Sequence, residues 1–211
     1  MMSYLDFIAP RSCAFCGARS RGREDSICSA CFLDLPWNAS PLIFPPAMFE
    51  RIVTMTHYSF PIDFAIKALK FDRKLFYGAA LAEVLCGASV YLPDDIDAIL
   101  PVPLHWSRKL RRGFNQAEEI AKPLAKMLAL PVARAAQRHQ ATPYQSGLDA
   151  RARARNLRYA FTTSKTVRYQ HLLIIDDVVT TGATISALAR SLLNAGASKL
   201  SVLAVARAAA R

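Results

Sequence analysis

The sequence predicts an α/β fold, a mostly parallel sheet flanked by helices, with a small four-cysteine module ahead of it. Three observations carry the prediction. Residues 172–175 form a continuous apolar run, Leu-Leu-Ile-Ile, and are followed by Asp176, Asp177 and a Thr/Gly turn that opens a helical pattern. Upstream, short strand-like segments alternate with stretches of helical periodicity from about residue 51 onward. Two CxxC pairs, Cys13/Cys16 and Cys28/Cys31, precede all of this.

With 211 residues, 53% of them hydrophobic, the chain can bury one full core plus a small appendage. No run approaches the roughly 18 apolar residues that cross a bilayer. The N-terminus shows no basic segment followed by an apolar one, so the expectation is a cytoplasmic protein without membrane insertion. The domain expectation is a cysteine module over residues 1–40, a Pro-rich linker over 41–50 and a catalytic-type domain over 51–211.

Taken in order, the cysteines come first. Eleven residues separate the two pairs, a short loop that still permits a tetrahedral thiolate site, so Cys13, Cys16, Cys28 and Cys31 are candidate ligands of structural zinc. In the absence of a secretory signal, disulfides are disfavoured. Residues 36–46 hold four prolines and read as a linker. A strand is predicted over 51–58, helices over 62–71 and 75–89, and a strand over 98–102. Lys67, Lys70, Arg73 and Lys74 read as an ordinary solvated helix face. Cys86 lies on an apolar stripe and reads as core.

The next segment gathers cations at a strand end. Arg108, Lys109, Arg111 and Arg112 crowd together before Asn115, which with Glu118 three residues on looks like a helix N-cap. Cations ahead of a helix oppose its dipole, which argues for an anion nearby. Short strands over 132–136 and 159–163 then bracket a long, polar, cationic loop containing Arg138, Thr142, Gln145 and Arg151, the composition expected of a functional lid. Between residues 105 and 168 there are 14 Lys/Arg against Glu118, Glu119 and Asp149, which accounts for the entire net charge of +11. That segregation favours a polyanionic ligand.

The strand at 172–175 reads as a parallel strand covered on both faces. Asp176 and Asp177 would then emerge at its carboxyl end, where open α/β sheets bind ligands. Thr180, Thr181, Gly182, Ala183 and Thr184 offer hydroxyls and N–H groups ahead of a helix over 185–194, a phosphate cradle beside carboxylates able to accept sugar hydroxyls. The rival reading, a nucleotide-hydrolase magnesium strand, requires a GxxxxGK[ST] loop, and the chain has none.

This segment resembles the phosphoribosyl pyrophosphate (PRPP) loop of type I phosphoribosyltransferases. Together with the double CxxC, the PVPLHWSRKLRRGFNQAE segment and the RxxxTxxQxxL loop, it makes the chain similar to the ComF family, whose GntX-like relatives share the layout. The resemblance implies a type I phosphoribosyltransferase-like sheet behind a zinc module. It also implies a catalytic role for Asp176 and Asp177 at the ribose hydroxyls and a 5-phosphate site at Thr180 to Thr184. Pyrophosphate would be gripped by Val102, Pro103, Leu104, Arg108 and Lys109, magnesium would accompany PRPP, and the 138–151 region would act as the flexible loop. The family's association with DNA uptake in natural competence adds single-stranded DNA and other competence proteins as partners, with Trp37, Phe114, Tyr144 and Tyr159 as stacking candidates. His105 is either an assistant at the leaving group or a surface histidine.

Overall fold

A computed structural model describes residues 12–18, 26–43, 46–139, 160–163 and 167–208. Thr142, Gln145, Arg151, Tyr144 and Tyr159 lie outside the described residues. In chain order the first half carries α1 (Ser29–Leu33), β1 (Leu42–Ile43), β2 (Arg51–His57), α2 (Ile62–Asp72), α3 (Phe76–Cys86) and β3 (Ala98–Pro101). Then follow α4 (Trp106–Arg112), α5 (Gln116–Met127), β4 (Ala136–Arg138), β5 (Phe161–Thr163), β6 (His171–Val179), α6 (Ala183–Asn194) and β7 (Lys199–Arg207).

The main sheet runs β1-β2-β7-β6-β3, with β1 antiparallel to β2 and every other pairing parallel. The expected mostly parallel sheet is therefore present. β4 and β5 form a separate antiparallel pair. Because β6 and β7 are covered on both sides, their sequences alternate destinations rather than polarity. Leu173, Ile175, Leu203 and Val205 pack toward α2, α3 and α5. Leu172, Ile174, Val202 and Ala204 pack toward α6 and β5. All of these are fully buried, and each Leu, Ile or Val among them contributes about 1.5–3 kcal/mol by removal from water. Gly78 lets α3 approach α5 closely, since a Cβ there would sit 2.8 Å from the Glu119 carbonyl oxygen.

A polar pin fixes the amino end of β6. His171 is buried; its Nδ1 lies 2.7 Å from Asp95 Oδ1 and its Nε2 lies 2.9 Å from Ser201 Oγ on β7. Asp97 accepts the N–H groups of Gln170 and His171 at 2.8 and 3.2 Å.

Several elements differ from expectation. The Pro-rich stretch contributes β1, and the Asn38 and His57 N–H groups exchange bonds between that stretch and β2 (Asn38 to the Met55 carbonyl, His57 to the Pro36 carbonyl, both 2.9 Å). β1 is the edge strand of the sheet, and beside it Pro41 lacks a donor where that costs least. The second predicted helix stops at Cys86 and is followed by a 3₁₀ turn, Ser89–Tyr91. The cationic run forms α4, and Lys109, Arg111 and Arg112 occupy its last turn. There they favour the helix dipole, so the dipole conflict read from sequence dissolves. Asn115 does cap α5, accepting from Ala117 N–H at 3.2 Å, but Glu118 pairs with Lys109 at 3.3 Å and closes no capping box.

Candidate functional site

Strand lengths build the site. β3 ends at Pro101, opposite Ile175, and the Val102 N–H gives the last bond, to the Ile175 carbonyl at 2.9 Å. β6 continues through Asp176, Asp177, Val178 and Val179, paired there with β7 alone. The acids thus lie inside the strand, on a stretch whose β3 side has opened. Successive strand residues face opposite sides, so the two carboxylates part company. Asp176 follows Leu172 and Ile174, while Asp177 follows Leu173 and Ile175 toward the α2 side.

Asp177 is 3% exposed and forms an ion pair with Lys70 of α2. Arg112, partly buried beside the Phe71 ring at 5.6 Å, adds a second cation whose charge interacts with Asp177. Asp176 is less covered, and its Oδ1 accepts the Asp177 N–H at 2.9 Å. Desolvation, then the charge of Asp177, push its carboxyl well above the ordinary range, with Lys70 opposing. Arg138 interacts electrostatically with both Arg108 and Asp176, and its guanidinium stacks 5.4 Å from the Phe161 ring centre.

Beyond Val179 the chain turns through exposed Thr180 and Thr181 into α6. Gly182 has φ +71°, which a side chain would strain, and no heavy atom lies within 4 Å of where its Cβ would be. Among the described residues no carbonyl accepts the N–H groups of Thr181, Gly182 or Thr184. The Ala183 N–H has a long contact to Thr181 Oγ1 at 3.5 Å. A 12-residue helix thus presents unpaired donors and its positive dipole end beside the acids.

The 102–112 segment is braced from two neighbouring elements and by an internal cap. Asn115 donates to the Val102 carbonyl at 3.0 Å. His105 is buried rather than on the surface: it caps α4 by accepting from the Ser107 N–H at 3.2 Å, and its Nε2 lies 2.8 Å from the His139 carbonyl. Pro103, Leu104 and Lys109 line a cavity of about 570 Å³ with Trp106, Arg134 and Arg138. The described lining of that cavity includes neither Asp176 nor Asp177.

Lys70 was missed in the sequence. Lys67 follows Asp63 by four and pairs with it at 2.6 Å on the outer face, as a solvated lysine should. Lys70 instead follows buried Ile66 by four, which sets it against the core side of α2. That offset was the available signal.

The four cysteine sulfurs lie within 4.8 Å of one another, with Cys16 and Cys28 at 3.7 Å. Tetrahedral zinc–thiolate bonds of about 2.3 Å place sulfurs roughly 3.8 Å apart, so the set fits such an ion. Burial works to raise Cys13, but N–H groups around it, that of Cys28 at 3.3 Å among them, bring its thiol down to about 6. Burial and the neighbouring sulfurs push Cys31 up. The cluster is tied to the main core through Cys13 and Ile27, and through the Ser26 N–H on Glu83 Oε2 at 2.7 Å.

A parallel sheet with an acid pair on an opening strand, followed by a positive-φ glycine and a donor-bearing helix, defines a phosphoribosyltransferase-type domain; the phosphoribosyl transferase domain family matches residues 109–211. The DNA utilization protein YhgH of Escherichia coli (strain K12) is 34% identical over 207 residues, covering 92% of this chain and 89% of that protein. YhgH of Salmonella typhimurium is 36% identical over 208 residues, with 92% and 89% covered. Competence protein F of Haemophilus influenzae is 32% identical over 171 residues, with 75% and 73% covered. The chain belongs to this ComF family of competence and DNA utilization proteins. Among the described residues no helix is long and apolar enough to cross a membrane.

Proposed function

We propose that the protein binds PRPP with magnesium and transfers the phosphoribosyl group to an acceptor, releasing pyrophosphate. The observation that carries this reading is the pairing of an open carboxylate, Asp176, with the unpaired N–H groups at the start of α6. Thr180 to Thr184 would hold the 5-phosphate, and Asp176 the ribose hydroxyls. Asp177, held by Lys70, would set the height of α2 over the ribose. Val102 to Leu104, Arg108 and Lys109 would take the pyrophosphate, with Arg138 at the base of a loop that includes Thr142, Gln145 and Arg151. Magnesium bound with the pyrophosphate supplies charge neutralisation. The glycosidic C1–O bond breaks, pyrophosphate departs with the electron pair stabilised by the surrounding cations, and the acceptor nucleophile bonds to C1 with inversion.

In the same reading the four cysteines hold structural zinc in a module over residues 1–40, joined through 41–50 to a transferase domain over 51–211, and the protein works in the cytoplasm. Calorimetry with PRPP and magnesium tests the site. The unmutated protein is expected to bind, and Asp176→Asn to weaken binding more than tenfold. No heat of binding from the unmutated protein would remove the transferase reading. Pyrophosphate release, screened over bases, nucleosides, amines and single strands, identifies the acceptor.

A second reading, single-stranded DNA handling with PRPP as a sensed or vestigial ligand, is favoured by the surplus of cations in residues 105–168 and by the names of the relatives. In that case competence proteins are its partners.

A further inference from the structure

The two stacking candidates among the described residues, Trp37 and Phe114, do not form a free surface. Trp37 packs on Phe32 at 4.8 Å and donates to its carbonyl, and Phe114 packs against the core. Exposed rings occur elsewhere. Phe60, Phe64 and Phe71 are 78%, 47% and 69% exposed, although water alone would drive such rings inward. Phe64, Lys67 and Phe71 recur at helical spacing as a stripe on α2; Phe60 precedes the helix and Lys74 follows its left-handed end at Arg73, so the helix and its flanks expose rings and cations together.

Cations sit on the rings themselves. Lys74 Nζ lies 5.9 Å from the Phe64 ring centre, and Arg112 lies 5.6 Å from that of Phe71. Arg73 ends α2 and donates to the Arg111 carbonyl at 3.4 Å, joining the stripe to cationic α4. Asp63 is engaged by Lys67. From the same helix Lys70 turns inward to Asp177, so the stripe's inner edge is the wall of the acid-pair site.

We propose that this stripe is a track for single-stranded nucleic acid, with bases stacked on Phe60, Phe64 and Phe71 and phosphates held by Lys67, Arg73 and Lys74, leading to the acid pair. Flat rings take any base, and interleaved ammonium groups follow the backbone. A second copy of the chain fits less well, because a two-fold contact would bring the lysines of the two stripes together. The track rests on the nucleic-acid reading and relocates it, from the cations of residues 105–168 to a helix face that sequence reads as merely solvated.

The test is fluorescence anisotropy with labelled oligothymidylate over a salt series. Replacing Phe64 and Phe71 by Ala is expected to weaken binding about tenfold per ring, with an unchanged salt slope. Replacing both by Tyr should preserve binding. Lys67→Ala with Lys74→Ala should flatten the slope. If the protein binds the oligonucleotide and the double Ala variant binds it equally well, the track is wrong and the nucleic-acid reading survives elsewhere. If the unmutated protein does not bind, both fall, whatever the PRPP calorimetry gives. Self-association lost in the Ala variant, without loss of strand binding, also overturns the track.

Discussion

Four sulfurs within 4.8 Å of one another close the cysteine cluster on itself, whereas among the described residues the end of β6 is left open, with N–H groups at the start of α6 that no carbonyl accepts and an Asp176 carboxylate that lacks the direct ion pair Asp177 makes with Lys70. The first arrangement spends its donors and ligands internally, which is how a structural centre holds a fold. The second keeps them unspent behind rigid strands, which is how a site receives a ligand. Within the open site the contrast repeats at the scale of one residue: Asp177 is tied down by Lys70, and Asp176 is not.

The largest effect should come from the closed end. Metal extraction by a chelator is expected to lower the unfolding temperature more than any single substitution below, since structural zinc can contribute on the order of 10 kcal/mol. Metal stoichiometry after purification and thermal unfolding with and without chelator check it. An unchanged transition in a metal-free protein would reduce the cluster to four adjacent thiols.

An intermediate effect belongs to the tied acid. Lys70→Met leaves a buried carboxylate without its ion-pair partner, with only the charge of Arg112 nearby, and should cost about 3 kcal/mol in urea unfolding, while adding Asp177→Asn should recover most of it. A double variant no more stable than the single one would show that the two groups are not coupled.

The smallest is a slope with pH. Asp176 is raised above its ordinary value of 3.8, so the folded protein retains a proton that the unfolded chain releases. The contribution of Asp176 to ligand-free stability is therefore fully present below that value and is lost as pH rises through the raised one, so it is read as the difference between the unmutated protein and the Asn variant at each pH. Asp176→Asn should lack the decline, and unfolding curves from acid to neutral pH decide.

Much of the architecture was legible because burial leaves a period. The helix at 62–71 follows from it, while the strand at 172–175 is read from unbroken apolarity bounded by acids and the cap at Asn115 from its own side chain. Three things were not. β7 is apolar without a break from Val202 to Ala206, and such a run carries no period to distinguish strand from helix. α4 presents exposed Trp106 and Leu110 among cations, so its helical turns are masked by charge. The splitting of the acids was hidden because a carboxylate pair looks like the end of a strand, when Val178 and Val179 carry the ladder on.

That last point gives the His171 pin a larger meaning. In a strand, a slip of one position exchanges inside for outside. Slide β6 by one residue against β7 and the acid reserved for α2 would face the opposite layer, with its neighbour driven onto Lys70. The bonds of His171 to Asp95 and Ser201, about five residues or roughly 16 Å away, act as the key in a keyway. A histidine well away from the acids thus fixes which carboxylate faces α2 and which faces the opposite layer.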